Sequence, residues 1–135
     1  MNKSHILSFL CGGLAVLGVT LLAQSPGHVY ELRTYTAPPG KLDALEARFR
    51  DHTEAIFKRH GLTAIGYWVP QDNKNNQFIY IVEHKSKEDA TKNWAAFQAD
   101  EEWKKVRAES EAGGPLTTKP PESVYMNPTD FSRLK

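Results

Sequence analysis

The chain has 135 residues, of which 40% are hydrophobic and 24% are charged, and this length fits one compact domain rather than two. Its formal net charge of +1 is too small for a broad phosphate-binding surface, which argues against a nucleic-acid partner. A single cysteine excludes an intramolecular disulfide framework and any zinc or iron–sulfur site built from several cysteines.

The first 25 residues differ in character from the rest of the chain. Residues 6–23 form a run without a charged side chain, and Lys3 precedes that run. This arrangement is typical of a secretory signal peptide, and the run is also just long enough to cross a bilayer as a helix. We therefore predict an exported protein with its folded domain in residues 26–135. It is periplasmic or extracellular if residues 1–25 are cleaved, and held at the envelope membrane if they remain.

The exported part begins with a predicted strand and a predicted helix. Residues 28–36 (HVYELRTYT) alternate in polarity and are rich in aromatic and β-branched side chains, which favours a strand. The Pro-Pro-Gly sequence at residues 38–40 ends that strand. A helix is then predicted over residues 41–60, because the side chains of one helical face recur at steps of three or four: Leu42, Leu45, Phe49, Thr53, Ile56 and His60.

Two more strands, a second helix and a last strand follow. Residues 62–69 (LTAIGYWV) and 78–84 (FIYIVEH) predict strands joined by a polar loop, and Gly66 indicates a bulge or a close backbone approach. Ser86 is the predicted N-cap of a helix that runs to about residue 110, with a break near residues 99–102. Residues 122–126 (ESVYM) predict the fourth strand.

The element order βαββαβ is that of the ferredoxin-like α+β fold, with four antiparallel strands and both helices on one face of the sheet. Nothing in the chain covers the other face, yet the strands are apolar on both sides. In the second strand, Ile65, Tyr67 and Val69 are expected opposite Trp68. An exposed apolar sheet face is uncommon on monomers, so we expect a homodimer that packs sheet against sheet as a dimeric α/β barrel.

The first strand carries the main candidates for a functional site. Glu31, Arg33 and Tyr35 alternate along it, so their side chains project to one side and would line a cavity if that side faces the second copy. Arg33 could then bind an anionic group of a ligand. Glu31 could act as a base with a pKa raised by burial, and Tyr35 could also take part in proton transfer. The alternative is that Glu31 and Arg33 pair with each other or across the dimer without any catalysis.

Three residues of other strands complete the candidate site. His84 ends a central strand and could move protons at the mouth of a cavity, or it could be an ordinary strand-end histidine. Trp68 and Tyr80 could line an aromatic ligand pocket, whereas the helical spacing of Trp94 and Phe97 favours core packing. The sequence has no HxH or HxxxH pair and no nucleotide-binding motif, so we predict no metal and no cofactor.

Three segments resemble one known family. They are VYELRTYT with PPGKLDAL, WAAFQADEEWKKVRAESEAGGPL, and MNPTDFSRL, which resemble the opening, the second helix and the closing motif of the NIPSNAP domain. The resemblance runs from about residue 28 to residue 134. It implies a dimeric α/β barrel, a superfamily that includes cofactor-independent monooxygenases, haem-dependent enzymes and small-molecule binding proteins. It implies no set of catalytic residues for this chain.

These features together predict a protein that binds a small molecule in a cavity beside the sheet. One alternative is an enzyme, a cofactor-independent monooxygenase or isomerase that acts on an activated aromatic or polyketide-like compound. Another alternative is a non-catalytic interaction module that uses the dimer surface. The first two require a closed, polar-lined pocket of roughly 300 Å³ or more, whereas the third is expected to have a filled interior.

Overall fold

The computed structural model describes residues 27–135, so the predictions for residues 1–25 concern a segment outside the described part. Four strands form one antiparallel sheet in the order β2-β3-β1-β4, and they are β1 (Val29–Thr36), β2 (Thr63–Trp68), β3 (Gln77–His84) and β4 (Glu122–Met126). This sheet confirms the predicted α+β fold. No helix within residues 27–135 is long and apolar enough to cross a membrane.

The first helix is continuous and has three parts. These are α1 (Leu42–Arg48), a π-helical segment (Phe49–Thr53) and α2 (Glu54–Arg59). Within the wider turn, Thr53 Oγ1 donates a hydrogen bond to the Arg48 carbonyl oxygen at 3.2 Å. After this segment, Ile56 on the predicted face and Phe57 beside it are both buried, while His60, predicted on that face, is only half-buried.

The second helical region breaks at the predicted place. Helix α3 (Lys87–Ala99) begins at Ser86, whose Oγ accepts a hydrogen bond from the Asp89 amide at 3.0 Å. Helix α4 (Glu101–Ser110) begins at Asp100, whose extended backbone ends α3 and whose carboxylate accepts a hydrogen bond from the Trp103 amide at 2.9 Å. The chain can therefore change direction at Asp100 because the new helix start is capped at once.

One side of the sheet, here called the helix face, packs against these helices. Glu31 pairs with Val82, Arg33 with Tyr80 and Tyr35 with Phe78 in the β1–β3 register, and all six side chains lie on this face. The apolar core between the face and the helices consists of buried side chains from every helix and from the loops: Leu45, Phe49, Ile56, Phe57, Leu62, Phe97, Trp103, Val106 and Leu116.

The other side, here called the open face, carries the alternate residues of the same strands. Tyr30, Leu32 and Thr34 of β1 lie there with their β3 partners, and Trp68 and Val124 on this face are 48% and 55% exposed. The segment after β4 covers part of this face, because its residues line one pocket with Tyr30, Ile65 and Ile81, and the Tyr30 hydroxyl donates to the Lys135 carbonyl oxygen at 3.2 Å. The prediction that nothing in the chain covers this face is therefore wrong in part, although Trp68 and Val124 remain exposed, and cover by a second copy stays a prediction.

One face assignment in β2 is wrong. The sequence pattern placed Ile65 and Tyr67 on the same face, but the β2–β3 register shifts between Ala64 and Gly66. This β-bulge inserts a residue, so Tyr67 faces the helices opposite Tyr80 while Ile65 lines a pocket on the open face. The bulge that Gly66 indicated is therefore present, and it breaks the simple alternation on which the prediction relied.

Candidate functional site

Glu31 is the most deeply buried charged side chain in residues 27–135, at 1% exposure. Its Oε1 accepts hydrogen bonds from Arg33 Nη1 at 2.7 Å and from Ser123 Oγ at 2.6 Å. Its Oε2 lies 2.6 Å from Trp94 Nε1, which donates to it, and 2.9 Å from His84 Nε2. Three strands and α3 therefore meet at one carboxylate.

The contacts of Glu31 favour its ionised form, and its predicted role as a base stays a prediction. Burial by itself would raise its pKa, but the four groups bonded to the carboxylate outweigh that effect and lower the pKa to about 2. The predicted direction of the pKa shift is therefore wrong. The sequence analysis expected Glu31 to line a cavity if its side of β1 faced a second copy, whereas that side packs against the helices and Trp94 of α3 bonds to the carboxylate.

Arg33 forms an ion pair with the same Glu31 carboxylate. Its guanidinium carbon also lies 4.3 Å from the ring centroid of Trp94 and 5.9 Å from that of Tyr35. The pairing of Arg33 with Glu31 inside one chain is the alternative that the sequence left open. An anion-binding role for Arg33 would require a ligand to share or displace this pair, and it stays a prediction.

The remaining predicted residues do not all join this cluster. Tyr35 and Tyr80 lie further along the helix face with their hydroxyl oxygens 3.1 Å apart. Tyr80 is fully buried against Phe49, and that burial raises the pKa of its phenol well above the usual value. Trp68 lies on the open face instead, with its ring across Gly66. The predicted aromatic pocket of Trp68 and Tyr80 is thus split between the two sides of the sheet.

His84 contacts the Glu31 carboxylate through only one of its two ring nitrogens. Its side chain is fully buried, and Nε2 is the atom that meets Glu31. An ionised carboxylate can only accept a hydrogen bond, so Nε2 carries the proton of this contact. In the neutral imidazole Nδ1 then holds a lone pair, and Nδ1 has no hydrogen-bond partner within the described residues.

A pocket of about 360 Å³ lies at the same end of the sheet and has His84 in its wall, and we refer to it as the His84 pocket. Its lining is largely polar and comes from β2, β3, α3 and the segments before them: His28, Gly61, Thr63, Glu83, His84, Lys85, Asp89 and Asn93. Glu83 is paired with His28 across the pocket wall, and Asn93 Nδ2 donates to the Gly61 carbonyl oxygen at 3.2 Å. The volume suits a small ligand with several polar groups.

Sequence reasoning missed two partners of Glu31. Trp94 lies at a helical core position, and nothing in its spacing distinguishes an indole that only packs from one that also donates a hydrogen bond. Ser123 reaches Glu31 because β4 pairs with β1, with Ser123 opposite Arg33 in the register. The strand order of the ferredoxin-like fold, applied to residues 122–126, could have indicated Ser123. No group of three or more potential metal ligands occurs in residues 27–135.

The family model for NIPSNAP proteins matches residues 30–133. The chain belongs to the NIPSNAP family. The resemblance drawn from the three sequence segments is therefore confirmed, and the matched range includes Glu31, His84, Trp94 and Ser123. No curated protein matches this NIPSNAP chain at a significant level.

Solved structures share the fold of this NIPSNAP domain. A NIPSNAP family protein of unknown function from Agrobacterium tumefaciens is 25% identical, with a TM-score of 0.71, and the match covers 83% of this chain and 97% of that one. An uncharacterised NIPSNAP-like domain protein from Burkholderia xenovorans is 22% identical, with a TM-score of 0.71 and coverage of 82% and 93%. A candidate antibiotic biosynthesis monooxygenase from Nitrosomonas europaea is 14% identical, with a TM-score of 0.57 and coverage of 82% and 99%, which shows likeness of fold alone.

Proposed function

We propose that this NIPSNAP protein binds a small polar molecule in the His84 pocket and that His84 exchanges a proton with it. One observation carries the proposal: His84 Nδ1 is buried without a partner in residues 27–135, and His84 lies in the pocket wall. Buried polar atoms in proteins are normally hydrogen-bonded. A ligand that donates a hydrogen bond to Nδ1 would complete the bonding of this imidazole.

The Glu31–His84 pair has the geometry of a general base held in place by a carboxylate. Glu31 fixes the imidazole as the tautomer with its proton on Nε2, at an Nε2–Oε2 distance of 2.9 Å. A ligand hydroxyl or activated C–H would give its proton to Nδ1 and keep the electron pair. The positive charge formed on the ring is then stabilised by Glu31, and Lys85 in the pocket wall attracts the anion that remains.

An enzyme is the second candidate function, and the same geometry favours it. A cofactor-independent monooxygenase or isomerase needs a base beside its substrate, and His84 Nδ1 would supply that base. The pocket volume of about 360 Å³ is sufficient for a small substrate, although the pocket is partly open to solvent and not the closed cavity that was expected. In simple binding the ligand is released unchanged after the proton transfer, whereas in turnover it is released as a product.

The working form of the protein is proposed to be an exported homodimer. The exposed apolar side chains of the open face, Trp68 and Val124 among them, support a second copy on that side. Export is supported by the uncharged run of residues 6–23. Neither feature involves the His84 pocket, so the binding proposal stands without them.

Ligand retention tests the binding proposal. The full-length protein is purified from its own envelope and analysed by native mass spectrometry beside His84→Gln and the control His52→Gln, which alters an exposed histidine of the first helix. We expect a small molecule to remain bound to the wild type and the control and to be lost from His84→Gln, with folding checked by circular dichroism. Ligand-free wild type, or equal retention in His84→Gln, would contradict the proposal.

A further inference from the structure

A second pocket, of about 370 Å³, lies between the first helix and strands β2 and β3, and we refer to it as the aromatic pocket. Its lining shares no residue with the His84 pocket and consists of three aromatic side chains and three charged ones: Glu46, Phe49, Arg50, Glu54, Tyr67 and Phe78. The proton-transfer proposal for His84 does not use this pocket.

The aromatic side of the pocket is a group of three packed rings. The centroids of Phe49 and Phe78 are 4.9 Å apart, and Tyr67 stacks on Phe78 at 5.8 Å with an interplanar angle of 10°. The phenol of Tyr67 is itself held by a hydrogen bond to the Glu54 carboxylate. Phe49 and Phe78 are largely buried in the core, so Tyr67 and the parts of these two rings that border the pocket form the surface, which favours a ligand with an aromatic ring of its own.

The charged side of the pocket holds two opposite charges that are not paired with each other. Glu46 and Arg50 are four residues apart in the first helix, a spacing at which such side chains commonly form an ion pair. Within residues 27–135 Arg50 forms no ion pair, unlike the neighbouring Arg48, which pairs with Glu111 at 2.9 Å. Glu54, the third charged residue, is already bonded to Tyr67 and to Lys58.

The local backbone supports a role for this helix segment in ligand binding. Phe49 and Arg50 belong to the π-helical segment, and Glu54 directly follows it. Such wide turns are costly and occur often at functional sites, because they redirect side chains that a regular helix would place elsewhere. Here the π-helical segment supplies the ring of Phe49 and the guanidinium of Arg50 to the lining of the aromatic pocket.

We propose that the aromatic pocket binds a small aromatic zwitterion, in the chemical class of the aromatic α-amino acids. The ligand ring packs against Phe49, Tyr67 and Phe78. Its carboxylate pairs with the guanidinium of Arg50, and its ammonium group pairs with Glu46. A ligand that lacks either charge would leave one side chain of the pocket rim without a partner.

Three matched probes test this assignment on the full-length protein. L-phenylalanine carries both charges, 3-phenylpropionate lacks the ammonium group, and phenethylamine lacks the carboxylate. Titrations are followed by the NMR signals of the rings of Phe49, Tyr67 and Phe78. We expect L-phenylalanine to bind about tenfold more tightly than either singly charged probe.

Two variants assign the charges and a third serves as the control. Arg50→Gln should weaken L-phenylalanine about tenfold and leave phenethylamine unchanged, whereas Glu46→Gln should do the same for L-phenylalanine and leave 3-phenylpropionate unchanged. Arg107→Gln changes an exposed arginine of α4 and should alter no affinity. The proposal is overturned if about 10 mM L-phenylalanine moves none of these ring signals, or if all three probes bind equally. Neither result bears on the His84 pocket.

Discussion

At the residue scale, Glu31 is the side chain whose charge matters most to the folded state. The carboxylate is buried and bonded by groups from β1, β3, β4 and α3, so it holds four elements to one point. Its partner Arg33 has 15% of its side chain exposed and depends on Glu31 for neutralisation. Breaking a buried pair by removing one charge leaves the other charge without compensation.

We expect Glu31→Gln to lower the free energy of unfolding by about 3 kcal/mol, as found when one member of a buried ion pair is removed. The amide keeps the shape of the side chain but not its charge, and its NH₂ group would face another donor. Urea denaturation measures the change. Glu83→Gln is the control, because Glu83 is half-exposed and is bonded only to His28 and, at 3.3 Å, to the Tyr30 hydroxyl within residues 27–135. Equal losses in both variants would contradict the role given to Glu31.

The lowered pKa of Glu31 also makes stability depend on pH. In the folded state this pKa is about 2, whereas the ordinary value is 4.5. The stabilisation is therefore fully present above about pH 4.5 and is lost as the pH falls toward 2. We expect the stability difference between wild type and Glu31→Gln to shrink over that range by about 3 kcal/mol, the free energy that corresponds to this change in pKa. Acid denaturation series of both proteins would show it, and a constant difference would refute it.

At the element scale, helix starts provide a test of how the second helical region is built. Ser86 only caps α3, whereas Asp100 caps α4 and also bonds to Arg59 at 2.9 Å and to His60 at 2.6 Å. We expect Ser86→Ala to cost about 1 kcal/mol of unfolding free energy and Asp100→Ala to cost more. Thermal unfolding followed by circular dichroism ranks the two variants. The opposite order would mean that the contacts of Asp100 beyond the cap contribute nothing.

Adding a methyl group at Gly66, in the β2 bulge, tests how firmly the Trp68 ring is held. A Cβ atom at Gly66 would lie 2.7 Å from Trp68 Cη2, so the indole ring must move. Because that ring is 48% exposed, we expect Gly66→Ala to change Trp68 fluorescence while altering the free energy of unfolding by no more than about 0.5 kcal/mol. Gly61→Ala is the contrast, since Gly61 has a φ of +70° and alanine there should cost about 1 kcal/mol. A larger loss from Gly66→Ala than from Gly61→Ala would show that Trp68 is fixed.

The same elements show what the sequence could and could not predict. Starts and breaks set by local chemistry, such as the Ser86 cap and the break near Asp100, were predicted because each depends on a few neighbouring residues. The π turn and the direction in which Ile65 points were not, because each depends on packing against other elements. The site follows the same division: the alternation of Glu31 and Arg33 is local, whereas their partners on α3 and β4 arrive through the tertiary fold.

At the scale of the whole molecule, the open face determines the expected assembly. Val124 is 55% exposed in the middle of β4, opposite Leu32 of β1. We expect the wild type to sediment as a dimer at micromolar concentration and Val124→Glu to raise the dissociation constant at least about tenfold, since a charge would be buried between two sheets. The control Ala95→Glu places the same charge on an exposed position of α3 and should stay dimeric. A monomeric wild type would remove the case for a barrel.

The whole molecule also places the two pockets apart, so that one can be tested without the other. The His84 pocket depends on an ionised Glu31 near one end of the helix face, and the aromatic pocket depends on the π turn of the first helix. The protonation state of the Glu31–His84 pair is the more fundamental of these two dependences. It decides whether the buried histidine presents a lone pair or a proton to a bound molecule.

Nitrogen-15 NMR of the histidine side chains measures that state directly. The spectrum is recorded on the full-length, labelled protein at about pH 8.5, above the ordinary histidine pKa of about 6.5, and His84→Gln assigns the signals. We expect His84 Nε2 to resonate as a protonated nitrogen and Nδ1 as an unprotonated one. A protonated Nδ1 beside an unprotonated Nε2 would contradict the account, because Glu31 would then lack the imidazole donor and the pocket would face no base.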